Sequence, residues 1–343
     1  LNLFIKKCLC YVIPLLSLVV GFNCVVDPGN LVSGIEAKIV NHLLAGQNVT
    51  NVFNIDERSL QKYMIMGVKP APETAILGSS RVMLIGKNTY NEAALNNGVS
   101  GASLEDLIAI YQLYRVNRVK LKRVVVGIDP WLFNINNSQI RWKTLAKEYN
   151  SFLKTNGFDP VASLNKYFQL FSFSYFQESV KFYRKGLIAK AILPTNTIAN
   201  KGLTRLPDGT ISYDLKYRIV KPEVVLKRAN DEIVESMHPL DKYSEISNDI
   251  VKKFDYLISE MLNDGVVVEF LLLPYFPVVY DFMMNSEKYR IIGDIELFVR
   301  EYAANKKIAS LTVGGNKCLP VKEPALVGYY DLPVVGFYAT VCR

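Results

Sequence analysis

Apolar and polar positions fall into three successive patterns along this 343-residue chain. The first is a nearly unbroken apolar run, Cys8 to Val26, interrupted only by Pro14, Ser17, Gly21 and Asn23. That length suffices to cross a hydrocarbon core. The second begins after Pro70-Ala71-Pro72, where short apolar runs alternate with stretches of helical spacing. Thr74–Leu77, Arg123–Ile128, Val266–Leu273 and Ile308–Val313 read as buried strands. Behind Ser103, Glu105 and Asp106, a good helix start, Leu104, Leu107, Ile108, Tyr111 and Tyr114 recur at helical spacing. Tyr243 to Leu262 predicts a long amphipathic helix closed by Asp264-Gly265, and Tyr289 to Tyr302 predicts another. Strand, loop and helix in repeated order are the grammar of a parallel α/β sheet.

The third pattern interrupts the second. Between about 135 and 240, Ile140–Leu153 and Val161–Ile192 predict helices rich in Phe and Tyr, and Asp208-Gly209 is a hairpin signal. Because the α/β grammar resumes afterwards, this region reads as an insertion within one domain. The chain thus divides into an anchor (1–26), a juxtamembrane segment (27–70) with short helices at Ile35–Leu44 and Arg58–Met66, and an α/β domain (71–343). No internal repeat or low-complexity tract is visible.

Composition narrows the class. Apolar residues make up 50% and charged residues 21%, which excludes a disordered chain. The net charge is +8, and without Lys6 and Lys7 there remain 38 basic against 32 acidic residues. This mild bias suits an anionic glycan or lipid surface and shows no tight basic cluster of the kind that binds nucleic acid. Lys6 and Lys7 before the apolar run place the N-terminus in the cytoplasm and the rest outside. No small-x-small cleavage site follows the run, which favours an uncleaved anchor over a signal peptide. In an oxidising compartment Cys318 and Cys342 are candidates for a disulfide. No Cys/His spacing of the zinc type occurs, and no metal or cofactor is expected.

The candidate chemistry lies at strand ends. Thr74–Leu77 stops at Gly78-Ser79-Ser80, which leaves a hydroxyl where open α/β sheets place their ligands. Taken alone, a Gly-Ser pair after a strand is an ordinary turn. Two further blocks join it, Val99-Ser100-Gly101-Ala102 and Gly127-Ile128-Asp129-Pro130. Together these blocks resemble the SGNH (GDSL-type) hydrolase superfamily from about residue 72 onward, most closely the membrane-anchored branch related to proteins that O-acetylate alginate and other envelope polysaccharides.

The resemblance implies a three-layer, flavodoxin-like parallel sheet with a helical, aromatic-rich insertion, preceded by one transmembrane helix in the bacterial cytoplasmic membrane. It implies Ser80 as nucleophile, with Ser79 at the family's aspartate position. Gly101 becomes an oxyanion-hole donor, and Asp129 stands where the family carries an amide. An ionised Asp129 cannot donate to an oxyanion, so it must be protonated, point away or serve another role, with Asn134 or a backbone N–H as substitute.

The family's last block, Asp-x-x-His, is not matched. Phe337 to Cys342 puts Ala339 and Cys342 at its two key positions, and Asp331-Leu332-Pro333-Val334 keeps only the acid. His238 is the other candidate base within the domain, and a histidine beyond Arg343 is a further possibility. His42, close to the anchor, reads as a packing or surface residue. Two expectations follow: a serine esterase or O-acyltransferase acting on an envelope glycan with an acyl-donor partner, catalytically impaired where the base is missing, or a non-catalytic glycan-binding or envelope-assembly module.

Overall fold

The computed structural model describes residues 2–52, 54–86, 89, 93–155, 165–184, 186, 193–234, 240, 243, 245–273, 275–312, 326–327 and 337–338. His238, Cys318 and Cys342 lie outside them.

The chain begins with helix α1 (Asn2–Val26), of which Phe4–Val26 is long and apolar enough to cross a membrane. Its outer surface is open, with Phe4, Tyr11, Leu15 and Leu18 all exposed. Asp27 ends the helix, and its carboxylate accepts hydrogen bonds from the amides of Leu31, Val32 and Ser33. Helix α2 (Ile35–Leu44), strand β1 (Asn48–Thr50) and helix α3 (Glu57–Gly67) follow. Asp56 caps α3, accepting from the Arg58 and Ser59 amides. Ile39, Leu43, Val49, Leu60 and Met64 are buried in the same apolar core as the α/β elements, so the segment after the anchor is built into the body.

The α/β elements are β2 (Thr74–Leu77), β3 (Ala94–Asn96), α4 (Leu104–Val116) and β4 (Arg123–Ile128). The expected strands at 74–77 and 123–128 stand at their predicted bounds. The insertion holds α5 (Ala146–Leu153), α6 (Phe173–Arg184), β5 (Leu193–Thr195), β6 (Thr204–Arg205), β7 (Ile211–Ser212), α7 (Leu215–Arg218) and α8 (Pro222–Val234). The continuous helix expected over 161–192 differs: the described part is a 3-10 segment, Asn165–Phe171, followed by α6. Helix α9 (Asn248–Asn263) begins five residues later than the apolar spacing suggested, because Ser247 caps it by accepting from the Ile250 amide. Strand β8 (Val267–Leu272), helices α10 (Pro277–Asn285) and α11 (Ile291–Lys306), and strand β9 (Ala309–Thr312) complete the body. Strands β10 (Leu326–Val327) and β11 (Phe337–Tyr338) pair with each other.

The main sheet is parallel, in the order β3-β2-β4-β8-β9. After β2 the chain moves to one side to lay down β3, then crosses to the other side for β4. The order therefore reverses between β2 and β4, and the carboxyl ends of strands at such a reversal are where α/β proteins hold ligands. Burial on both faces explains the uninterrupted apolar runs, with Ala75, Ile76, Leu77 and Val124 to Val126 all inaccessible.

A second, antiparallel sheet in the order β5-β1-β6-β7 joins the segment after the anchor to the insertion. The expected Asp208-Gly209 hairpin links β6 and β7. Its tip covers the edge of the main sheet, with the Asn96 amide donating to the Asp208 carbonyl at 2.8 Å. Gly209 has φ +80° and lies against Asn96, so that a Cβ would stand 2.1 Å from the Asn96 carbonyl oxygen. Gly202 shares the φ of +80° but faces open space. Gly209→Ala is expected to cost more than Gly202→Ala, which carries only backbone strain of about 1–3 kcal/mol. Thermal melts of the two variants check this, and equal losses would show that the hairpin tip does not rest on β3.

Candidate functional site

The carboxyl ends of β2 and β4 are built from turns that close on one another. At the end of β2, Gly78 adopts φ +154° and Ser79 starts a 3-10 turn, Ser80–Val82, by accepting from the Arg81 amide at 3.1 Å. Val82 folds back over Gly78 and Gly127. A Cβ on Gly127 would come within 2.3 Å of the Val82 side chain, so glycine on β4 lets the turn after β2 seat on the sheet.

That turn aims Arg81 across the strand ends. Its Nη1 donates to Asp129 Oδ1 at 2.7 Å and its Nη2 to the Leu273 carbonyl at 2.8 Å, so one guanidinium ties the ends of β2, β4 and β8. Both charged side chains are buried, 4% and 0% exposed. The guanidinium also lies over the Tyr275 ring at 4.4 Å, with Trp131 at 5.9 Å. Burial pushes the Asp129 carboxyl above the usual carboxylate range, while Arg81 and the Ser79 hydroxyl and amide pull the other way.

Ser80 opens the 3-10 turn and is buried, 6% exposed. Its carbonyl accepts from the Met83 amide. Gly101 has φ +55°, its carbonyl accepts from Gln139 Nε2 at 3.0 Å, and the Arg141 guanidinium occupies the space a Cβ would need. Asn134 is buried, and its Oδ1 accepts from the Asn136 amide at 2.9 Å, capping the turn after β4. His42 lies on α2, its Nδ1 2.9 Å from Gln47 Oε1. Among the described residues, no group of three His, Cys, Asp or Glu side chains is arranged to hold a metal ion.

The turn after β3 is held by residues that sequence reading did not single out. Helix α3 presents Glu57, Arg58 and Gln61 to it. Glu57 accepts from the Ser100 amide at 2.6 Å and from Arg205 at 2.7 Å. Arg58 donates through Nε and Nη2 to the two oxygens of Asp106, each at 2.9 Å, and through Nη2 to the Ser100 carbonyl. Gln61 donates to the Gly98 carbonyl and accepts from Asn97, whose Oδ1 receives the Tyr114 hydroxyl. Val99 donates its amide to the Gly78 carbonyl, and Trp131 its indole N–H to the Ala102 carbonyl, so the three turns are locked together. The one sequence signal for this framework was three long polar side chains at helical spacing on α3, at positions 57, 58 and 61, where an exposed face is the ordinary expectation.

No protein-family model, curated protein or solved structure matches this chain.

Two predictions follow from these charges. Removing one partner of a buried ion pair strands the other, so Arg81→Met should cost about 3–5 kcal/mol in urea unfolding. Arg81→Met combined with Asp129→Leu should recover most of that loss, and a double variant as unstable as the single would show that packing dominates. Glu57 behaves differently. Burial pushes its carboxyl up, but the Arg205 charge and the bonds from Ser100 and Arg205 outweigh this, and its net position is below the usual carboxylate range. A depressed folded-state value contributes stability that is present above the unfolded value, about 4.3, and is lost as pH falls through the folded one. The stability gap between wild type and Glu57→Gln should therefore be largest at neutral pH and close below pH of about 4.

Proposed function

We propose that this chain is a membrane-anchored module of SGNH-like, three-layer flavodoxin-like layout. In this reading its domain lies outside the bacterial cytoplasmic membrane and the carboxyl ends of its strands engage an envelope glycan or an assembly partner without serine hydrolysis. The strand order supports the layout: numbered within the main sheet it is 2-1-3-4-5, the doubly wound order of flavodoxin. Lys6 and Lys7 before α1 support the orientation, and the excess of basic residues supports an anionic polymer as ligand.

The observation that carries this reading is the buried Arg81–Asp129 pair. Where the SGNH resemblance calls for an amide donor to an oxyanion, this chain has a carboxylate bound to a guanidinium. Its Oδ1 is engaged by Arg81 Nη1, and the side chain carries no amide N–H to give an oxyanion. The Ser100 amide, beside Gly101, is already given to Glu57. A second reading, a serine esterase or O-acyltransferase, is favoured by the place of Ser80 at the end of β2, and it requires a base delivered to that hydroxyl, for which His238 is the candidate.

A fluorophosphonate probe and p-nitrophenyl acetate separate the two. The expected result is no labelling and no turnover that depends on Ser80. Labelling of the wild type that disappears in Ser80→Ala would overturn the non-catalytic reading in favour of the esterase. Binding is tested by retention on immobilised polymannuronate against neutral dextran, with salt-sensitive retention on the former expected.

A further inference from the structure

The aromatic helix of the insertion packs on the end of the apolar N-terminal helix. Phe22 meets Phe176 and Tyr183 edge to face, with ring centroids at 5.6 and 6.0 Å. The buried Asn23 amide donates to the Leu170 carbonyl at 2.8 Å. Just beyond, the Tyr175 hydroxyl donates to Asp27 Oδ1 at 2.9 Å and accepts from the Gly29 amide. The segment from Asn165 to Arg184 is therefore fixed in depth along α1. Phe168, Phe171 and Phe173 of this segment are exposed by 64%, 52% and 71%.

Helix register converts these contacts into a depth. Phe4–Val26 is 23 residues, about 34 Å at 1.5 Å per residue, against a hydrocarbon core of about 30 Å. Phe22 and Asn23 lie about 5–6 Å inside the Val26 end, at the boundary between hydrocarbon and headgroups. An element packed on them occupies that boundary, where aromatic side chains are favoured and where exposed Phe in water is not. Lys181, paired with Glu178, and Arg184 are exposed on the same helix, the composition of an element lying in the interface.

We infer that the segment 165–184 is a second membrane contact, a lipid-facing seat whose Phe168, Phe171 and Phe173 enter the interfacial layer beside α1 and hold the α/β body against the bilayer. This rests on α1 spanning the membrane and is independent of the chemistry at Ser80. The occupant is phospholipid, since the segment packs on the end of a helix whose own apolar side chains are exposed.

The test uses the full chain in phosphatidylcholine nanodiscs whose acyl chains are brominated near the headgroup or near their ends. Phe168→Trp and Phe173→Trp report the seat, and Leu16→Trp reports the span. Native Trp131 is buried and Trp142 half-buried, and they set the background. Emission of the two seat tryptophans should fall about twofold with shallow bromines and less with deep ones, with Leu16→Trp showing the reverse order. If Leu16→Trp is quenched while the seat variants stay at background, the seat is overturned, whether water or a second copy of the chain covers those rings. If Leu16→Trp also stays at background, the span fails and the seat with it. Photoactivatable phosphatidylcholine added to the wild type gives a reading free of substitution. Crosslinks within 165–184 are expected, and crosslinks confined to α1 overturn the inference.

Discussion

The Arg81–Asp129 pair is the contact on which the geometry of the strand ends depends. Both groups are buried, and each would be costly alone. Together they fix the turn after β2 to the ends of β4 and β8, and Tyr275 covers the guanidinium face. The place where the sheet order reverses is the place where an α/β protein has room for a ligand. Here an internal ion pair occupies that place, and its two charges are matched to each other.

The second constraint comes from outside the sheet. Helix α3 belongs to the segment that follows the anchor, yet its Glu57, Arg58 and Gln61 saturate the turn after β3. Arg205, from the insertion, completes the Glu57 site. Strand β1 pairs with β5 and β6, so that segment and the insertion share one sheet. The segment after the anchor, the insertion and the turn after β3 are therefore joined by hydrogen bonds.

Much of the fold was legible because burial leaves a plain record. Strands covered on both faces read as continuous apolar runs, and β2 and β4 were bounded correctly from that alone. Ser103 with Asp106, and Asp208 with Gly209, gave a helix start and a hairpin because capping and turn chemistry are local. Strand β3 escaped because it is three residues long and contains Asn96, whose side chain is satisfied by the Val82 and Ile85 carbonyls across the turn. Strand β1 and helix α10 escaped for a similar reason: short elements are specified by partners distant in sequence.

The candidate site divides along the same line. That Gly78-Ser79-Ser80 ends a buried strand, that Asp129 follows another and that an apolar helix precedes the body could be read along the chain, since each depends on adjacent residues. What Asp129 does could not. The side chain that neutralises it, Arg81, is 48 residues away and is brought within 2.7 Å by the parallel pairing of β2 with β4. Likewise only the fold set Glu57 and Arg58 against Ser100, and Phe22 against Phe176. Charge matching and packing act through space, and a linear pattern carries no distance between residues that the sheet makes neighbours.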